Sequence, residues 1–99
     1  MIYEIAELTI HPDAHDAFQA AVTKAVPIFQ AASGCLSMRL DRAIEMPDTY
    51  HLVIGWQTLE NHTVDFRGSA GFQDWRALVG SHFAQAPKVT HFATAVAGF

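Results

Sequence analysis

The stretch CLSMRLDRAIEMPDTYHLVIGW, Cys35 to Trp56, decides the fold. Its first part, Cys35 to Ala43, alternates Leu36, Met38 and Leu40 against Ser37, Arg39 and Asp41, a period of two with one apolar and one polar face. Its last part, TYHLVIGW, is β-branched and aromatic and is expected to be the most buried strand. A turn around Met46-Pro47-Asp48 lies between them, so the two are predicted to pair as a hairpin.

Toward the N-terminus, Ala14, Phe18, Ala21/Val22, Ala25 and Ile28/Phe29 recur every three or four residues, which predicts a long amphipathic helix from Asp13. Asp13 and Asp16 suit its positive end, Pro27 predicts a kink, and Ser33-Gly34 stops it. Before the helix, Ile2 to Ile10 alternates imperfectly and ends at His11-Pro12, a first strand. Toward the C-terminus, Thr58 can cap a short helix over Leu59 to Arg67, and Ser69 a second from about Gly71 to Phe83. A last strand is expected from Val89 to Val96 after Pro87. Strand, helix, strand, strand, helix pair, strand is the α+β, ferredoxin-like split βαβ order, with an antiparallel sheet carrying helices on one face, in one domain over 1–99.

Only 16% of the 99 residues are charged and 51% are hydrophobic, against roughly 25% charged in ordinary soluble domains. A chain this short buries only about 60–65% of its surface by folding alone. Apolar residues on the open sheet face are therefore expected to meet a second copy, closing a dimeric α/β barrel. The formal charge of −4 and the scattered Lys24, Arg39, Arg42, Arg67, Arg76 and Lys88 form no basic stripe, which argues against nucleic acid. Cys35 is the single cysteine, excluding a disulfide framework and a thiolate metal cluster. No signal-peptide pattern and no apolar run of about 20 residues is present, so no membrane partner is expected and the cytoplasm is the default location.

An opening strand ending in a Pro turn, a long helix closed by SGC, a strand ending in Trp56, the segment LENHTVDFRGS, the FQDW helix and a strand introduced by PKV follow one another through nearly the whole chain. In this order they resemble the antibiotic biosynthesis monooxygenase family of small dimeric α/β-barrel proteins. The resemblance implies one of several activities, since some members oxygenate polyketide phenols or quinols without metal or flavin, some degrade haem, and one group is better described as isomerases. It also implies that the Trp56 face, with Tyr50, Leu52 and Ile54, points into the barrel, and that His51 faces the helices. Cofactor-free oxygenases of the family pair such a Trp with an amide four residues earlier, an aromatic hydroxyl in the next helix and a basic residue further on. The matching positions here are Leu52, His62 and Arg76, so Leu52 departs from the pattern.

On its short helix, His62 has Asp65 and Phe66 three and four residues on, which puts an imidazole, an orienting carboxylate and an apolar wall on one face. A neutral imidazole in an apolar cavity suits deprotonation of a phenol or quinol, the step that makes it electron-rich enough to meet O₂. The plain alternative is a half-buried helix residue bonding a backbone carbonyl. Arg76 can stabilise the anion or pair with Asp74 or Asp65. Trp56 serves packing, cavity wall or both, and Tyr50, Leu52, Ile54 and Phe66 complete the expected pocket. Arg67 and Ser69 are read as turn and capping residues. His11 and His15 straddle a Pro turn and form no metal pair. His91 shares a strand face with Val89, Ala93 and Ala95, with either side of the sheet open to it. Haem is disfavoured because Trp75 and Arg76 stand where an axial histidine is wanted, and GSAGF lacks the setting of a dinucleotide loop. The expectation is a cofactor-independent, homodimeric monooxygenase taking a small aromatic substrate and O₂, with no metal. A ligand-binding or stress-response protein without turnover is the first alternative, and an isomerase the second.

Overall fold

A computed structural model describes residues 1–99. Strands β1 (Ile2–Thr9), β2 (Cys35–Arg42), β3 (Thr49–Trp56) and β4 (Lys88–Phe92) form one sheet in the order β2-β3-β1-β4, every pair antiparallel. Helices α1 (His15–Gln30) and α2 (Ala70–Val79) cover one face. This is the ferredoxin-like α+β arrangement. Trp56, Tyr50, Leu52 and Ile54 of β3 pack with Phe18, Phe29, Trp75 and Val79 of the helices in a single core.

The helices lie on the Trp56 side, the reverse of the expected placement. Strand parity separates the residues into two faces but carries no mark of which face the helices take. His51 therefore lies on the helix-free face, half exposed, with its Nε2 4.0 Å from Glu7 Oε1. Lys88 Nζ lies 3.8 Å from the other Glu7 oxygen. The register puts Tyr3, Ile5, Val53 and Phe92 on this face beside these charged side chains, so it is mixed in character rather than uniformly apolar.

Several boundaries depart from the sequence expectation for local reasons. A bulge between Cys35 and Ser37 extrudes Leu36 into solvent, so Cys35 joins Met38 and Leu40 against the core in its place. α1 begins at His15 rather than Asp13 and runs through Pro27 to Gln30, ending short of Ser33-Gly34. α2 stops at Val79, and Gly80–His82 tightens into a 3₁₀ turn before Phe83 bridges to Ile10. β4 ends at Phe92, which pairs with Tyr3; β1 offers little strand beyond it, and the expected extension to Val96 finds no ladder.

The segment after β3 matters most for the site. Thr58 Oγ1 accepts from the Asn61 backbone N–H, and Asn61 Oδ1 accepts from the Thr58 N–H and hydroxyl, a reciprocal cap. The turn that follows, Asn61–Phe66, is π-helical, with the Arg67 N–H bonded to the His62 carbonyl at 3.1 Å. Asn61 rests on Gly34, whose φ is +72° and where a Cβ would come within 2.1 Å of the Asn61 amide oxygen. Gly34 thus serves twice, as the left-handed residue of the turn into β2 and as the seat of the turn carrying His62.

Candidate active site

Between the helix face of the sheet and α2 lies a cavity of about 400 Å³. Its walls include Glu4, Ala6 and Leu8 of β1, Leu52 of β3, and His62 and Arg67 of the π-helical segment and its end. Phe72, Trp75 and Arg76 of α2 close it, with Phe83 and Val89 beyond.

The chemistry is concentrated on one wall. His62 is buried and lies nearly parallel to the Trp56 indole, with ring centroids 5.3 Å apart and planes 16° apart. Its Nε2 is 3.3 Å from Glu4 Oε1 and its Nδ1 is 2.8 Å from His91 Nε2. The Trp56 Nε1–H donates to the same Glu4 Oε1 at 3.0 Å. Register explains the meeting, because Glu4 stands opposite Ile54 on one side and His91 on the other, all directed to the helix face.

The indole can only donate, so Oε1 accepts, and the remaining hydrogens follow. With Nε2 protonated and facing Oε1 at 3.3 Å, the His62 Nδ1 is left bare and accepts from His91 Nε2–H. This assignment is inferred from the network. It makes both imidazoles neutral, with Oε1 held by the Trp56 N–H. Burial, then the Arg67 guanidinium, then His91 push the His62 pKa down to about 4. Burial and Arg67 lower His91 as well. Burial raises Glu4, against the Trp56 hydrogen bond and Arg67, which pull it down.

The expected site residues divide in this geometry. His62, Leu52 and Arg76 line the cavity, and Trp56 stands behind Glu4 and His62 as their support. Arg76 makes no ion pair with Asp74 or Asp65; its guanidinium lies 5.8 Å from the Phe72 ring centre. Ile54 is fully buried in the core beside Trp56. Phe66 packs on Trp56 at 5.5 Å and borders a separate groove with Ile28 and Asp74. Tyr50 is at the other end of β3, bonded to His15 and Gln19. Asp65 accepts from Asn61 Nδ2 and does not orient His62; that partner is Glu4. Ser69 caps α2 through the Phe72 N–H, as its position before the helix suggests.

Glu4 was legible as an acidic residue in the register of Ile2, Ala6, Leu8 and Ile10, and sequence reasoning passed over it. Arg67 is a cavity residue as well as a turn residue. No group of three or more His, Cys, Asp or Glu side chains is arranged to hold a metal ion, and the two imidazoles face each other at hydrogen-bond distance.

A family model described as "Antibiotic biosynthesis monooxygenase" matches residues 1–78. The chain is 36% identical to the uncharacterized protein YczJ of Bacillus subtilis (strain 168) over 92 residues, covering 93% of this chain and 97% of that one. Among solved structures, the "Putative antibiotic biosynthesis monooxygenase" from Bordetella bronchiseptica is 46% identical, with a TM-score of 0.94 over 96% of this chain and 97% of its own. A mutant of SnoaB, a cofactor-independent oxygenase from Streptomyces nogalater, superposes with a TM-score of 0.81 over 98% of this chain and 95% of its own. At 12% identity it shares the fold alone.

Proposed function

This chain belongs to the antibiotic biosynthesis monooxygenase family, and from that premise we propose that it oxidises a small aromatic phenol or quinol with O₂ in the cavity of Glu4, His62 and Arg76, without a bound cofactor. The observation that carries this reading is the wall itself. A neutral imidazole and a buried carboxyl share one side of an otherwise apolar chamber, and two guanidinium groups, Arg67 and Arg76, stand on its walls. Deprotonation at the His62–Glu4 wall makes the ring electron-rich, and the guanidinium groups hold the phenolate. One oxygen atom enters the ring at a C–H carbon to give a quinone carbonyl, and the other leaves as water. The ring supplies all four electrons, so no outside reductant is required.

Trp56 keeps this wall in place, and Leu52 with Phe72 and Trp75 offers the apolar surface an aromatic ring needs. The working unit in this reading is a homodimer joined through the helix-free sheet face, in the cytoplasm. Light scattering at micromolar concentration tests the assembly, and a stable monomer overturns it. The reaction is tested by oxygen uptake and product analysis over a panel of quinols and naphthols. Turnover by the wild type, lost in His62→Ala with the fold intact, is the expected result. A panel that binds without oxidation sinks the oxygenase and leaves the second reading, a ligand-binding protein, which Leu52 favours by standing on the wall where an amide is wanted.

A further inference from the structure

His62 pairs its Nδ1 with His91 Nε2 at 2.8 Å and turns its Nε2 to the Glu4 carboxyl, 3.3 Å from Oε1. A base needs a lone pair free to meet the substrate, and in this arrangement the only bare nitrogen of His62 accepts from His91. Glu4 is differently placed. Its Oε1 receives the Trp56 N–H at 3.0 Å and lies 3.3 Å from His62 Nε2, while its Oε2 makes no hydrogen bond. No fully buried side-chain oxygen or nitrogen lacks a partner, so Oε2 is not sealed in, and the space that Glu4 borders is the cavity.

Resting on the proposed acid–base use of this cavity, we infer that the atom accepting the substrate proton is Oε2 of Glu4, and that His62 is its positioning residue. The hydroxyl O–H bond breaks, its proton forms the Oε2–H bond, and the electron pair stays on the phenolate oxygen. That proton later returns to the oxygen that leaves as water, so the carboxylate is regenerated without an outside acid. The Trp56 N–H on Oε1, with the His62 ring packed against it, holds the carboxyl still and leaves the second oxygen as the reactive end. His91 holds His62 in the tautomer that turns Nε2–H toward Glu4.

The groups facing Glu4 agree with this role. They are the Trp56 N–H from β3, His62 and Arg67 from the π-helical segment and its end, and His91 from β4; Arg76 stands across the cavity from α2. Burial lifts the Glu4 carboxyl above its ordinary value and, with Arg67 and His91, holds the His62 imidazole low.

The test is calorimetric binding of a nitrophenol in its phenolate form, in several buffers without oxygen, at a pH where free Glu4 and His62 are both unprotonated. Wild type should take up about one proton per phenolate bound as Glu4 and the ligand come to share it. Glu4→Gln should take up none, and Glu4→Asp, which keeps the carboxyl if Glu4→Gln fails to fold, should still take one up. His62→Gln should keep the uptake, since it leaves the Glu4 carboxyl and its Trp56 donor in place. It should also recover part of the turnover lost in His62→Ala, a rescue that a proton-accepting imidazole would not show. Uptake that persists in Glu4→Gln and vanishes in His62→Gln assigns the proton to His62 and overturns the inference while the oxygenase reading stands. Absence of phenolate binding in every variant removes both.

Discussion

The two ends of β3 hold nearly the same parts arranged to opposite effect. At one end, Gln19 Nε2–H donates to the Tyr50 hydroxyl at 3.0 Å, Tyr50 donates to His15 Nδ1 at 2.7 Å, and His15 Nε2–H donates to Asp48 at 2.7 Å. That chain runs outward and ends on a carboxylate whose side chain is 47% exposed. At the other end, His91 donates to His62, whose Nε2 faces Glu4 at 3.3 Å; the Glu4 side chain is 7% exposed, with Trp56 donating to it from the far side. The second chain runs inward and ends against a cavity. An aromatic, a histidine and a carboxylate are therefore no signature of a site by themselves. What separates the two is where the carboxylate lies, since water already solvates Asp48 whereas Glu4 has only protein donors and whatever enters the chamber.

Trp56→Ala should give the largest change at the inward end. It removes a side chain of 0% exposure and strands the Glu4 oxygen, for a loss of about 3–5 kcal/mol. Urea unfolding measures it, and a loss under about 1 kcal/mol would mean that Trp56 does not support the wall. The sharpest break of the comparison is the pair His62→Ala and His15→Ala. Turnover should fall by ~10²-fold or more in the first and stay within about twofold in the second, although both delete a hydrogen-bonded imidazole. Equal losses of rate would erase the distinction between the two ends.

Acid offers a subtler separation. Between the ordinary imidazole value and about 4, the unfolded chain binds a proton at His62 that the native chain refuses, so this residue makes stability fall as pH falls. Glu4, raised in the fold, binds its proton in the native chain before the unfolded one and acts in the opposite direction. Wild-type stability should therefore fall less steeply across this window than that of Glu4→Gln, which lacks the opposing carboxyl, as measured by denaturant midpoints between about pH 6.5 and 4. A parallel response of the two proteins would show that Glu4 does not titrate there. The smallest effect is expected at the outward end, where Tyr50→Phe should cost about 1 kcal/mol of stability and leave turnover unchanged.

The hairpin was the most legible element. TYHLVIGW occupies Thr49–Trp56 as strand β3, because β-branched and aromatic residues in a pleated, buried setting leave few alternatives. The caps at Thr58 and Ser69 were legible for a similarly local reason. The side of the sheet taken by the helices was not, since alternation is symmetric between faces until something packs on one of them. Nor was the partner of His62. Helical spacing offered Asp65, but the π-helical turn and the strand register bring Glu4 and His91 together from segments far apart in the chain, and contacts of that kind have no local signal. Tyr50 shares its face with Trp56 as parity predicts, yet a shared face spans the length of a strand and the cavity takes only one end of it.

The π-helical turn at Asn61–Phe66 has a consequence for how such a chain can change over generations. A π turn holds one more residue per loop of backbone than an α turn of the same span, so losing a single residue between Asn61 and Phe66 lets the backbone relax into an ordinary helix. The segments on either side keep their register, while the side chains inside the turn take new positions around its axis. His62 would leave Glu4 while the sheet, the core and the capping residues stayed as they are. Relatives that keep the fold and abandon this chemistry need not have replaced any wall residue, and a one-residue difference in length is enough.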